Sequence, residues 1–441
     1  MFNNKTAQVR HHILDQLEAG TLKAGDRLPG ARELAIQLDI SFLKVQQAIE
    51  GLCRDGVLEV VNRRGTYVQK TWANCVLPEN ISIFRMQNEF PWLAGIRQLI
   101  DEHLPGVRFT NAFPVGAMEL KTTYHVQSHW EQYQDLTDIL AECYPDMDDF
   151  FEQPFEAGRI GGKLVGIPFI FSPRVVFYNP SLFKKANCPL PTDNWTWDDF
   201  LTTINKLKQT LPIEQIINWH YEPFLWMNYV MRAGGRLIRC GVPDPVQIDS
   251  PMTRQGLGYY GELGKALHFQ ERHDTKTTFK QGKSAMYICE RQYVHQMMHI
   301  GFDDWQTVNL PMFPGGEDIT TQATDLLCIH KANTNPQAAR EYIKLMLSPQ
   351  IQDFIGKQNH GIPIRKSSAF KSLDLASPRD AIFARGISRI SAEYNLQYPH
   401  LTQTLVAGIQ QMLRENRGIE KTTAELASLA RHYMSIWNIA V

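Results

Sequence analysis

Apolar positions recur with a helical period three times in the first 55 residues. Val9, Ile13 and Leu17 stand at i, i+4 and i+8 and Gly20 ends the run, which predicts a helix over 5–20. After the turn Lys23-Ala24-Gly25-Asp26 and Leu28-Pro29, the spacing of Ala31, Leu34, Ala35 and Leu38 predicts a second, shorter helix. Asp39-Ile40 is a tight connection, and Ser41 is suited to cap a third helix that buries Val45, Ala48, Ile49 and Leu52. Beyond Gly56 the apolar runs 57–61 and 66–68 predict two short strands around the polar turn Asn62-Arg63-Arg64-Gly65.

The rest of the chain alternates differently. A buried strand is expected at 81–86 and a helix at 92–103. The apolar stretch 166–170 runs through Phe171-Ser172-Pro173-Arg174 into 175–179, and a helix follows at 180–187. Thr196 with Asp199 three residues on has the form of a capping box, ahead of the stripe Phe200, Leu201, Ile204 and Leu207. Asn335-Pro336 opens a helix with Ala339, Ile343 and Met346 inward. Strands alternating with helices predict an α/β body with predominantly parallel sheets. The expected organisation is a head over 1–70, a linker over 71–80 and a body over 81–441.

At 441 residues the chain is long enough for two or three cores, and 43% hydrophobic with 21% charged residues is the balance of a soluble globular protein. No apolar run approaches the roughly 20 residues needed to cross a bilayer, and residues 1–20 lack the pattern of a secretory signal. Seven cysteines, scattered singly, argue against a disulfide framework and for a reducing compartment, so a cytoplasmic location is expected. The net charge of −1 says little, but residues 1–70 carry ten Lys/Arg against eight Asp/Glu while the remainder carries 35 against 38. The head alone has the sign that nucleic acid attracts.

Two short helices joined by a tight turn, then a hairpin with a basic tip, make a winged helix-turn-helix. Ser41, Lys44 and Gln47 lie off the apolar stripe of the third helix, free to meet base edges and phosphates, and Arg63 and Arg64 at the wing tip suit phosphates or the minor groove. The segment 8–68 resembles the GntR family of bacterial regulators. The resemblance rests on Leu22-Lys23-Ala24-Gly25-Asp26-Arg27-Leu28-Pro29, Arg32-Glu33-Leu34-Ala35, Val45-Gln46-Gln47-Ala48-Ile49-Glu50-Gly51-Leu52, Gly56-Val57-Leu58 and Arg64-Gly65-Thr66-Tyr67-Val68. It implies that Arg32, Ser41, Lys44, Gln47, Arg64 and Gly65 face double-stranded DNA. The chain departs from the family at Gly30-Ala31, where Ser-Glu is usual, and at Phe42, where arginine is usual. The second departure leaves the base preference open and the docking mode intact. The other reading of the head is a module for protein contacts alone.

The body resembles the extracellular solute-binding proteins of sugar ABC transporters, with the type-2 periplasmic-binding fold. Gly166-Ile167-Pro168, Phe177-Tyr178-Asn179, Leu182-Phe183-Lys184-Lys185-Ala186, Trp195-Thr196-Trp197-Asp198-Asp199-Phe200, 279–286, 310–316 and 361–367 carry the resemblance. It implies two α/β lobes joined by a hinge and closing around a small molecule, most simply a sugar gripped by aromatic faces and planar polar groups. By position in the matching loops the ligand-binding candidates are Glu89, Trp92, Ser128, Trp130, Phe171, Arg174, Trp219, Tyr221, Glu290, Arg291 and Tyr293. Any one of these aromatics serves equally well as a core residue, and Glu290 with Arg291 as a solvated pair.

Other patterns lead nowhere. Gly256-Leu257-Gly258-Tyr259-Tyr260-Gly261 spells GxGxxG without the preceding strand that a dinucleotide site needs, and Gly282-Lys283-Ser284 has Thr277 where a P-loop has its first glycine. His295 and His299 lack a third metal ligand, no GxSxG is present, and Asp146-Met147-Asp148-Asp149 has the look of a solvated helix end. No catalytic, cofactor or metal site is expected. The sequence therefore predicts a regulator binding a palindromic operator as a homodimer under control of a small-molecule effector, with no membrane partner. The alternatives are a solute-binding protein delivering sugar to an ABC transporter, and a regulator whose body binds a protein.

Overall fold

The structure, a computed structural model, describes residues 4–83, 92–110, 115–268, 274–392 and 396–436. The chain divides into two compact units, one of residues 1–147, 165–167 and 326–351, the other of 148–164, 168–325 and 352–441.

The first unit opens with α1 (Asn4–Glu18), α2 (Ala31–Leu38) and α3 (Phe42–Arg54), then the hairpin β1 (Leu58–Val61) and β2 (Gly65–Val68) in antiparallel register, Val61 opposite Gly65. The apolar stripes read from the sequence meet in one core that includes Val9, Ile13, Leu34, Val45, Leu52 and Val57. Asp39 ends α2 in the left-handed region at φ 51°, which a short polar side chain tolerates, and its N–H reaches back to the carbonyls of Ala35 and Ile36. Ser41 occupies the N-cap of α3, but its hydroxyl makes no cap bond. The N–H of Lys44 at N3 already donates to its carbonyl at 2.9 Å, which satisfies one of the groups that a hydroxyl would otherwise serve.

Residues 71–80, expected as a linker, are built into both neighbours. Trp72–Asn74 form a 3-10 turn, β3 (Val76–Ile83) follows at once, and its Leu77 sits in the core of the head. One apolar side chain in the right register is enough to draw the segment in. β3 runs parallel to β4 (Arg108–Thr110) and β5 (Val115–Thr122), with α4 (Leu93–His103) between β3 and β4 in sequence. The close approach of β3 and β5 requires glycine at 116, where a Cβ would stand 2.6 Å from the carbonyl oxygen of Asn80.

The stretch 167–178, which belongs to the second unit from Pro168 on, is one uninterrupted, wholly buried strand despite Pro168 and Pro173. Met286–Glu290, Gln306–Val308 and Ile362–Pro363 run antiparallel to it, Thr320–Ile329 is a further neighbour in the sheet, and Thr320–Ile329 pairs parallel with Ile390–Ser391. The sheets are therefore mixed, not predominantly parallel. The helices after 178, including Trp197–Leu207, Pro223–Arg232 and Pro251–Ala266, pack on one another around Trp226, Tyr229 and Tyr260 and do not act as simple crossovers, so the chain returns to the sheet from the opposite direction. The capping box is present, Asp199 N–H donating to Thr196 Oγ1 while the Asp199 carboxylate accepts from Thr196 N–H. The expected helix at 336 is also present as Pro336–Met346 in the first unit, with Asn335 accepting from Ala338 N–H.

Candidate functional site

The outward side of the head carries its chemistry on exposed side chains. With Val45, Ala48, Ile49 and Leu52 buried, the register of α3 is fixed, and Phe42, Leu43, Gln46, Gln47 and Glu50 are exposed on it. Lys44 is half-buried, its Nζ donating to Gln47 Oε1 at 3.2 Å. Arg32 on α2, Ser41, and Arg63 and Arg64 at the wing tip are exposed. Gly65 adopts φ 115°, and a Cβ there would fall 2.9 Å from Arg27 Nε. The glycine thus lets Arg27 lie along the wing, beside its bridge partner Tyr67. Arg27 was not among the residues expected to face DNA, although it stands in the matching Gly25-Asp26-Arg27-Leu28 run and its polarity between turn and helix was the available signal.

The other side of the head is tied to the sheet of its own unit. Arg10 on α1 donates to Glu79 on β3 and to Asp55 after α3, each at 2.6 Å. Arg108 on β4, 4% exposed, donates to Asp15 at 2.8 Å and to Glu18, both on α1. Burial works against the charge of Arg10, but Glu79 and Asp55 outweigh it and hold its pKa above the ordinary value. His11 beside them is held below its ordinary pKa, first by burial and further by the charge of Arg108. These pairs occupy Asp15, Glu18, Asp55 and Arg10, so that of the ten cations and eight acids of the head nine and five remain for its outer surface.

The body candidates separate into three groups. Glu89 lies outside the described residues. In the first unit Trp92 is buried at the start of α4, while Ser128 is exposed, with its hydroxyl donating to Tyr124 O at 2.9 Å, and Trp130 is half-buried. In the second unit Phe171, Trp219, Arg291 and Tyr293 are interior residues. Phe171 meets Phe151 edge-on at 5.3 Å, Trp219 stacks on Tyr260 at 5.4 Å, and the Tyr293 hydroxyl donates to Lys276 O. Arg291, 0% exposed, has its guanidinium bonded to Asp380, Asn359 and the carbonyl of Gly361. It is neither a solvated pair with Glu290 nor free to meet a ligand. Position in a loop matching a family says where the chain passes, and burial decides which way the side chain turns. Tyr221 is half-buried, 5.2 Å from Trp219 and under Arg414 at 5.4 Å. Trp219 also lines a groove of about 1010 Å³ with Gly258, Gly261 and the turn 414–419.

Arg174 and Glu290 are brought together. They are directly opposite across two antiparallel strands, with Arg174 Nε 3.7 Å from Glu290 Oε2. Arg174 Nη1 donates to Thr321 Oγ1 at 2.7 Å and to Gln322 O at 3.1 Å, and the guanidinium lies 5.0 Å over Phe224. Three neighbours of this pair, Asp325, His360 and Gln322, were not among the residues expected to bind a ligand. Burial, with a smaller push from Glu290, raises the Asp325 carboxyl to about 8, so it can donate as well as accept a hydrogen bond near neutrality. His360, 4.0 Å from Asp325, is pushed well below its ordinary pKa by burial. Gln322 is buried with neither amide atom hydrogen-bonded. Thr321-Gln322-Ala323-Thr324-Asp325 ahead of an apolar run was the signal, since polar residues inside a buried strand are costly unless paired. A guanidinium, a carboxylate, a protonated carboxyl and an amide together suit hydroxyl groups.

The discarded patterns have structural explanations. The GxGxxG residues lie inside the helix Pro251–Ala266, where a Cβ on Gly256 would stand 2.4 Å from Val230 Cα, so helix packing accounts for that glycine. His295 and His299 stack at 6.4 Å, His295 Nδ1 lies 2.6 Å from Gln358 O, and no group of three or more metal-ligating side chains stands among the described residues. Asp149 is not a solvated helix end. It accepts from Arg365 and from Ser367, which holds its pKa low against the effect of burial.

Comparison with known proteins gives the same two parts. Residues 5–68 match the family described as bacterial regulatory proteins, gntR family, and residues 122–378, more than half the chain, match the family described as bacterial extracellular solute-binding protein. A putative binding protein of Brucella abortus is 24% identical over 237 residues, 50% of this chain and 55% of that protein. A probable fructoselysine utilization operon transcriptional repressor of Escherichia coli is 38% identical over 63 residues, 14% of this chain and 26% of the repressor. The chain thus spans about half the length of the first relative and about a quarter of the second. Among solved structures, a solute-binding protein of Thermotoga lettingae bound with alpha-D-tagatose aligns at a TM-score of 0.67 and 14% identity, over 80% of this chain and 98% of that one. UgpB of Mycobacterium tuberculosis, in complex with glycerophosphocholine, aligns at 0.65 and 14%, over 82% and 99%. The fold is a winged helix-turn-helix followed by a two-lobed periplasmic-binding-protein-like fold. Among the described residues no helix is long and apolar enough to cross a membrane.

Proposed function

We propose that this chain, which belongs to the bacterial extracellular solute-binding protein family and carries a GntR-family head, is a transcription regulator whose operator affinity is set by a carbohydrate held in the body. The observation that carries the proposal is the two-sided head. Its outer side offers cations, and its inner side is ion-paired through Arg10 and Arg108 to the sheet of the body. A head that were a passenger would not spend buried charges on that contact. In this reading residues 1–70 bind DNA, 71–80 join, and 81–441 sense, with the protein a cytoplasmic homodimer on a palindromic operator. Arg32, Ser41, Lys44, Gln47, Arg63, Arg64 and Gly65 form the DNA side. Arg174 and Glu290, joined by Asp325 and Gln322, form the ligand side within the second unit.

The test is a thermal-shift screen of the whole chain against mono- and oligosaccharides, with glycerophosphodiesters alongside. A ligand at about 100 times its dissociation constant that binds only the folded state adds roughly 2.7 kcal/mol, a clear rise in melting temperature. A response to saccharides supports the proposal. A response to glycerophosphodiesters alone replaces the carbohydrate, and silence across the panel counts against a small-molecule effector. The second reading, delivery of a solute to a transporter, is favoured by the family of the body. It predicts saccharide binding with no measurable affinity of the chain for any duplex DNA.

A further inference from the structure

The outer side of α3 begins with two apolar residues that nothing in their own unit covers. Phe42 is 46% exposed and Leu43 61% exposed. The helix cannot turn them inward, because Val45, Ala48, Ile49 and Leu52 already fill the core from its other side. Leu43 shares a stripe with Gln47 and Glu50 at i+4 and i+7, so the outward face runs from apolar at its N-terminal end to polar at its middle. Lys44 follows them directly in sequence, and Arg32 on α2 is a further exposed cation of the head. Once the internal ion pairs are set aside, the head keeps nine cations against five acids. An apolar spot on a net-cationic surface fits a polyanion that itself presents apolar groups. In the major groove of DNA one base does so, thymine through its C5-methyl.

We propose that Phe42 and Leu43 read thymine methyl groups, so that the bound half-site carries thymines where the N-terminal end of α3 enters the major groove. This rests on the DNA-binding reading above and adds the base class to it. Phosphate contacts from the cations of the head position the helix, and the two apolar side chains favour a methylated pyrimidine over cytosine, which offers an amino donor there and no methyl.

The experiment uses the full chain. Duplexes are selected from a randomised pool, and the recovered site is resynthesised with deoxyuridine replacing thymine, one position at a time. That change removes the methyl and keeps the hydrogen-bonding edge. At one or two thymines per half-site the affinity should fall about three- to fivefold, the scale of one buried methyl group, and the fall should vanish in a Phe42→Ala, Leu43→Ala double variant whose melting temperature is unchanged. Equal affinity for the thymine and deoxyuridine duplexes overturns the proposal. So does a deoxyuridine effect of the same size in the double variant. If the double variant loses self-association and keeps its thymine preference, the patch belongs to a second copy of the chain and the proposal fails. Recovery of no duplex at all defeats the DNA-binding reading itself, an outcome distinct from these.

Discussion

The head and the second unit place their polar chemistry in opposite ways. On the head, the cations offered to a partner are exposed, and the buried ions, Arg10 and Arg108, are matched at once by Glu79, Asp55, Asp15 and Glu18. In the second unit Arg174, Gln322 and Asp325, the polar groups most apt for a ligand beside Glu290, are themselves buried, and the side-chain amide of Gln322 has no hydrogen bond within the protein. A surface that meets a polyanion gains from exposed, mobile cations and long-range attraction. A site that must tell one small neutral molecule from another gains from desolvated groups whose bonds only the right ligand completes. One chain thus shows both strategies, and substitutions can separate them.

The largest effect is expected where a buried charge is purely structural. Arg291→Met strips Asp380 of its partner inside the second unit and should lower stability by about 3–5 kcal/mol, seen as a large drop in melting temperature. Saccharide affinity of the protein that remains folded should be unchanged. A full-strength fold with weakened ligand binding would instead move Arg291 to the ligand side. Next comes Arg108→Met, which loses charge-assisted bonds to Asp15 and Glu18 worth about 1.5–3 kcal/mol. Calorimetry should show the head melting ahead of the body, with affinity for DNA kept at low temperature. A smaller effect, about tenfold in DNA affinity, is expected for Arg64→Ala at the wing tip, together with a salt dependence shallower by about one unit of slope. A loss that is the same at every salt concentration would contradict a phosphate contact.

The smallest effect concerns pH. The pKa of His11 is lowered by burial, so the folded head holds it neutral while the unfolded chain protonates it below about 6.5. Its contribution is present above that pH and lost as pH falls toward the folded value, since the unfolded state then binds more protons. His11→Gln should flatten the acid limb of the melting curve by one proton at most, because His125, His295, His330 and His360 are also lowered and keep their share. An unchanged acid limb would mean that the head opens before His11 titrates.

The head was legible because its information is local. Periodicity fixed α1 to α3 within a residue or two, and a residue off the apolar stripe of a short surface helix has nowhere to go but solvent. Even there the sequence did not show that Ser41 would leave its hydroxyl unbonded, or that Leu77 would pull the junction into the head. The order of elements in the body was also legible, and the capping box at Thr196 was found. Strand direction was not, because it depends on how the chain returns after the helices that follow residue 178. Nor was the difference between Arg174, inside the long strand, and Arg291, at the start of the helix Gln292–His299 of the same unit. One lies opposite Glu290 beside an unsatisfied amide, the other is consumed by Asp380, and those partners come from positions more than 80 residues away in sequence.

The most direct test of the account is the affinity of the full chain for its selected duplex, measured by fluorescence anisotropy with and without the saccharide that raises its melting temperature. Coupling between two sites of about 1–3 kcal/mol should change the dissociation constant at least fivefold, in either direction. A saccharide that stabilises the protein and leaves the DNA affinity the same would contradict control of the head by the body.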